Sequence, residues 1–233
     1  MNGLYYGYGG TVDMFLLLIG FFITLIAQIK VKSAYSKYSK EDTRGDLSGC
    51  EVARKILDSA DLKDIHVVEV PGELTDHYDP RNKVVRLSTK VFHDSSVASV
   101  AVAAHECGHA IQDKEGYLFL RFRSLIFPVV NVATSISYYI ILIGFIFEML
   151  DLVYIGIGLT TIGLFFQIIT LPVEFNASKR AGKEIDAMHL ANSEEKSGIK
   201  KVLVSAALTY VAGVLTSALQ ILRLLLIANS DRD

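Results

Sequence analysis

Four nearly unbroken apolar stretches interrupt an otherwise mixed chain, at 11–29, 125–150, 152–171 and 202–222. Each is close to or beyond the ~20 residues that a helix needs to cross ~30 Å of hydrocarbon, so the pattern predicts four transmembrane helices. Only Asp151 and its neighbours separate the second stretch from the third, which predicts a tight helical hairpin. Between the first and second stretches the periodicity changes. Residues 51–60 have helical spacing, 64–70 and 83–87 carry the alternating or β-branched residues of short strands, and 97–111 is a run of small and apolar residues. Asp94, Ser95 and Ser96 offer N-caps to that run and Gly116 offers a stop, so it reads as a mostly buried helix. The organisation expected is an N-terminal anchor at 1–32, a soluble segment at 33–123, a transmembrane hairpin at 124–171, a polar segment at 172–201 and a final transmembrane helix with its tail at 202–233.

Composition agrees, with 51% hydrophobic residues and a mean hydropathy of +0.38. Charge adds an orientation. No basic residue precedes the first apolar stretch, whereas Lys30, Lys32, Lys37 and Lys40 follow it, the reverse of a secretory signal. The stretch therefore reads as a retained anchor. Fifteen of the 23 Lys and Arg residues fall between Lys30 and Arg123 and six between Lys179 and Lys201. By the positive-inside rule both segments are cytoplasmic and the N-terminus is outside. Arg121, Arg123, Lys196, Lys200 and Lys201 flank apolar stretches, where acidic lipid headgroups account for them without nucleic acid. Cys50 and Cys107 both lie in the segment assigned to the cytoplasm, where thiols stay reduced.

The candidate chemistry lies in the buried helix, at His105-Glu106-Cys107-Gly108-His109. A four-residue step on an α-helix returns to nearly the same face, so both imidazoles can reach one metal ion, with Glu106 beside the position where a water would sit. Cys107 is offset from that face and reads as a packing residue. Such zinc hydrolases keep three protein ligands and one open position. Glu115 follows at a short step, but the glycine that would bend the helix back is replaced by Gln112, and Glu148 belongs to the opposite side of the membrane. Glu174, where the third stretch returns to the cytoplasm, is the best third ligand, against the plainer reading of an interfacial carboxylate. Pro172 there suits the first turn of a helix.

Residues 74–81 (Leu-Thr-Asp-His-Tyr-Asp-Pro-Arg), 85–88, 103–112 and 208–212, in this order among these apolar stretches, resemble the YugP-type membrane zinc metallopeptidases of bacteria. More distantly the plan is similar to HtpX-like proteases and CAAX prenyl endopeptidases. The resemblance implies a mainly α membrane protein of about four transmembrane helices with a small cytoplasmic α+β region of zincin-like, gluzincin type. It implies one Zn2+ per chain on His105, His109 and Glu174, with Glu106 as catalytic base, and a multi-pass protein of the bacterial cell membrane. In the distant relatives the third ligand begins a Glu-x-x-Ala-Asp pattern. Here that pattern falls on Glu174, Ala177 and Ser178, so the acidic residue that would orient a histidine is a serine. Asn176 is a candidate substitute.

The function expected is a membrane-embedded zinc endopeptidase that cleaves protein or peptide substrates with a zinc-activated water at the cytoplasmic face. Strand 83–87, just before the helix, would offer a free edge to an extended peptide. Residues 76–80 would be the turn entering it, with His77 and Tyr78 as candidate contacts to substrate or the developing oxyanion. A structural turn set by Asp79 and Pro80 is the plainer alternative. His93 belongs to the helix entry, and His66 and His189 to surface or packing roles. Two other classes compete: an inactive zinc-binding scaffold or regulator, which would have no use for Glu106, and a small transporter component, for which the apolar stretches lack an acidic pathway.

Overall fold

The computed structural model describes residues 3–230 and is mainly helical. Helix α1 spans Gly3–Tyr38, α2 Gly49–Ser59, α3 Thr89–His93 and α4 Val97–Lys114. Three longer helices follow: α5 at Leu118–Ile146, α6 at Leu150–Ala187 and α7 at Ser193–Ser230. Among the described residues four helices are long and apolar enough to cross a membrane, at Thr11–Tyr38, Leu118–Ile146, Leu150–Ala187 and Ser193–Asn229.

These helices outrun the apolar stretches that predict them. The boundaries expected at 32, 172 and 202 all fall inside continuous helix. Pro172 in particular does not start a helix but sits within α6. A proline removes the donor that would pair with the carbonyl four residues earlier, a loss a long helix can absorb. At this point of α6 the Tyr117 hydroxyl donates to the Pro172 carbonyl and the Gln112 amide to that of Val173.

The chain divides into two compact units. The first comprises Met1–Gln28, Phe122–Leu171 and Thr209–Asp233. Its helices are joined by small-residue and polar contacts: the Thr24 and Thr216 hydroxyls meet at 3.2 Å, Ser217 donates to Gln167, Tyr154 to Asn229, and Arg223 pairs with Asp13. The α5–α6 turn is tight, with Glu148 at a positive φ of 55°.

The second unit comprises Ile29–Arg121 and Pro172–Leu208. Its core joins Val52, Ile56 and Leu57 of α2, Val85 and Leu87 of the sheet, and Val100, Ala101, Ala104 and Cys107 of α4, all buried. Helix α2 starts from a capping box, in which Ser48 and Glu51 satisfy each other's backbone N–H groups. Three strands form one sheet in the order β1 (His66–Val70), β3 (Val84–Ser88), β2 (His77–Asp79). Strand β1 runs parallel to β3, and β2 runs antiparallel with Tyr78 opposite Val85.

This topology corrects the expected groove. The strand that precedes α4 is the central one, paired on both sides, so it has no free edge. The segment read as a turn at Asp76 to Pro80 contains an edge strand of its own. Asp79 and Pro80 do shape a turn, but it lies after that strand: Asp79 accepts from the backbone N–H groups of Arg81 and Asn82, reversing the chain into β3.

Candidate metal centre

Helix α4 begins at Ser96, whose side chain caps the N–H of Ser99, and is buried along nearly its whole length. Burial on all sides is possible because many of its positions carry Ala, Gly, Ser or Cys. Gly108 is the tightest. A Cβ built there would lie 2.5 Å from the Ala177 carbonyl oxygen, so α4 and α6 meet backbone to backbone. Glu174 lies one turn before Ala177, which brings its carboxylate to the α4 face that carries His105 and His109.

The three side chains converge. Their ligand atoms all lie within 4.8 Å of one another. Glu174 Oε2 is 3.3 Å from His105 Nε2 and 3.6 Å from His109 Nε2, and the carboxylate is only 3% exposed. In a tetrahedral site with zinc–ligand bonds of ~2.0–2.1 Å, donor atoms are ~3.3 Å apart, so the two carboxylate–imidazole spacings fit zinc. The far side of each ring fits as well. Ser178 Oγ is 3.2 Å from His105 Nδ1 and Gln112 Oε1 is 3.0 Å from His109 Nδ1, which leaves both Nε2 atoms turned to the common point. Two imidazoles and one carboxylate are also the donor types zinc takes.

Glu106 stands beside this cluster, buried. Burial pushes its carboxyl up to about 7, with the Glu174 and Asp76 carboxylates adding to the rise and His105 opposing it. The backbone N–H of Tyr78 donates to it. Since N–H and C=O of one residue in an antiparallel strand point to the same side, this bond places the open edge of β2 towards Glu106.

The side chains of the two remaining candidates lie elsewhere. His77 is exposed, with Nδ1 2.8 Å from the Thr75 carbonyl. The Tyr78 hydroxyl donates to Asp113 at 2.9 Å, and burial and that carboxylate hold its proton on more firmly than usual. The backbone of Tyr78, not its side chain, is what reaches the Glu106 carboxyl. Asp76 supports the strand from behind, accepting from both the N–H and the hydroxyl of Ser88. Glu115 is paired with Arg180 at 2.6 Å. Cys107 faces away from the cluster, its thiol 3.6 Å from the Ala53 carbonyl and held protonated by burial.

Ser178 takes the place of the absent acidic residue as a single hydroxyl contact to His105. Asn176 reaches neither histidine. Gln112, which in the sequence stands out only as a replacement for glycine, is the further residue that contacts the cluster. The signal was its spacing, since a residue three positions after His109 on a helix lies on the same face.

Comparison with known proteins agrees with this chemistry. A family model described as "Putative neutral zinc metallopeptidase" matches residues 13–229. The "Putative membrane protease YugP" of Bacillus subtilis (strain 168) is 45% identical over 220 residues, 94% of this chain and 98% of that protein. No solved structure matches. With a match that spans nearly the whole chain, and with two imidazoles and a carboxylate converging at zinc-ligand spacing, this protein belongs to the neutral zinc metallopeptidase family of membrane proteins.

Proposed function

We propose that this protein is a zinc endopeptidase of the HExxH type, with His105, His109 and Glu174 as the ligands of one zinc ion and Glu106 as the catalytic base. The observation that carries this reading is the convergence of three zinc-type donors beside a buried carboxyl that no structural role explains. Zinc, when bound, polarises the scissile carbonyl and acidifies a water. Glu106 takes the proton from the attacking water and returns it to the departing amide nitrogen. A carboxyl whose proton affinity is matched to neutral pH is suited to both transfers.

The substrate is an extended segment of a protein or peptide, added as a further strand to the open edge of β2. The Tyr78 N–H, which donates to Glu106, puts this edge beside the reacting groups. The gluzincin-like arrangement is thus a small mixed sheet and two helices, α4 and α6, that carry the ligands. The protein sits in the bacterial cell membrane with its N-terminus outside and its site on the cytoplasmic side, a reading supported by the 21 of 23 Lys and Arg residues that fall between Lys30 and Arg123 or between Lys179 and Lys201.

Zinc content and peptide cleavage, measured on the same detergent-purified samples, test the reading. Wild type should carry stoichiometric zinc and cleave. Glu106→Gln should keep its zinc and lose turnover by about 10²–10⁴-fold. Glu174→Ala should lose both. Full zinc in Glu174→Ala would remove that residue from the ligand set, and zinc without cleavage of any peptide by wild type would favour an inactive zinc-binding regulator.

A further inference from the structure

Behind His109 lies a chain of hydrogen bonds that the proposed reaction does not use. Gln112 is completely buried. Its side-chain oxygen is 3.0 Å from His109 Nδ1, and its nitrogen donates to the Val173 carbonyl at 2.8 Å and to Asn176 Oδ1 at 3.0 Å. Asn176 Oδ1 also accepts from Arg180 Nε at 2.7 Å, and Arg180 is held in turn by Glu115 at 2.6 Å.

The sense of each bond in this chain follows from groups that can only donate or only accept. A guanidinium accepts nothing, so the Asn176 atom facing Arg180 is its oxygen. A backbone carbonyl donates nothing, so Gln112 turns its NH2 to Val173 and spends the second proton on Asn176. The Gln112 oxygen is then left for His109, whose Nδ1 must carry the proton. The lone pair of His109 therefore sits on Nε2, the atom 3.6 Å from Glu174. The same amide grips the carbonyl of the residue just before Glu174. A carboxylate at 112 could orient the histidine but could not donate to α6, and a glycine could do neither.

We propose that Gln112 is a positioning residue that sets two ligands at once: it fixes the tautomer and ring plane of His109 and holds the turn of α6 that carries Glu174. Asn176 and Arg180 fix the direction of its amide. The proposal rests on the reading of His105, His109 and Glu174 as zinc ligands. It differs from the expected arrangement, in which an acidic residue on the α6 side orients a histidine, because here the orienting group is neutral and comes from α4 itself.

The test is zinc affinity of the full-length protein in detergent, by competition with a chromophoric chelator, together with the absorption bands of the cobalt(II)-substituted protein. Gln112→Ala should bind zinc about 10–100-fold more weakly and shift the cobalt bands, the scale seen when partners of metal-binding histidines are lost. Gln112→Glu, which accepts from His109 but cannot donate to Val173, should also bind more weakly than wild type. Asn176→Asp keeps both acceptor bonds and should match wild type in affinity and spectrum, whereas Asn176→Leu should weaken binding by less than Gln112→Ala. A folded Gln112→Ala with affinity within twofold of wild type and unchanged cobalt bands would overturn the proposal. If that variant does not fold, equal affinities of Asn176→Leu and Asn176→Asp would do so. Wild type that takes up no zinc would overturn the ligand assignment itself, and the proposal with it.

Discussion

In α4, 14 of 18 residues are buried, whereas in the apolar windows of the four long helices only 11–22% are. Both regions are mostly apolar, α4 through alanine and valine and the long helices through leucine, isoleucine and phenylalanine, so hydrophobicity alone does not separate them. What differs is the partner. The apolar atoms of α4 face α2, the sheet and α6, and each position there is fitted to a neighbour. Phe15, Phe21, Leu125, Phe127 and Phe165 of the long helices face outward, where hydrocarbon chains serve as a fluid partner that needs no fit. Precision is therefore concentrated in the second unit, where His105, His109 and Glu174 converge, and the first unit is free to be merely apolar.

That contrast can be broken by substitution. Leu87 on β3 is completely buried in the second unit. Leu87→Ala should cost about 2–5 kcal/mol and lower the melting temperature of the protein in nanodiscs, as cavities in packed cores do. A cost near zero would mean that the second unit is as loosely packed as a lipid-facing surface.

A smaller effect sharpens the chemical side of the comparison. The Glu106 carboxyl keeps its proton up to about pH 7 in the folded, metal-free chain, against an ordinary carboxylate value when unfolded. The folded state thus binds more protons across that window, and this group's contribution to stability falls as pH rises through it. In chelator-treated protein Glu106→Gln should therefore melt several degrees higher than wild type at pH 8, with the gap closing by pH 4–5. Parallel melting curves at both pH values would show that Glu106 carries no such penalty. The smallest effect belongs to the first unit. Phe165→Ala, at a side chain 61% exposed in the protein, should change stability in nanodiscs by less than about 1 kcal/mol, since that ring meets lipid before and after folding. A loss as large as that of Leu87→Ala would place a protein partner on this face.

The four membrane helices and the His105/His109 pair were legible because each is written in a local pattern, a run of apolar residues in one case and a four-residue step in the other. Glu174 was legible through membrane topology and the resemblance, although Pro172 obscured the continuity of its helix. Proline reads as a boundary because it lacks a donor, and no local pattern records that the helix runs on through it. Strand β2 was read as a turn for a related reason. Three residues are too few for a periodicity, and the Asp-Pro pair that follows dominates the local signal. Its place at the sheet edge depends on pairing with β3, which no local pattern records. Gln112 was passed over because a buried glutamine gains meaning only from its three partners, two of them on another helix.

The backbone contact at Gly108 has an evolutionary consequence. Every other amino acid adds at least one carbon where the Ala177 carbonyl oxygen already stands, so no single replacement at 108 leaves the helix separation, and hence the ligand spacing, unchanged. Variation among descendants of this sequence must then run through side chains around the contact, such as the hydroxyl at 178, while position 108 stays fixed for as long as these two helices meet backbone to backbone.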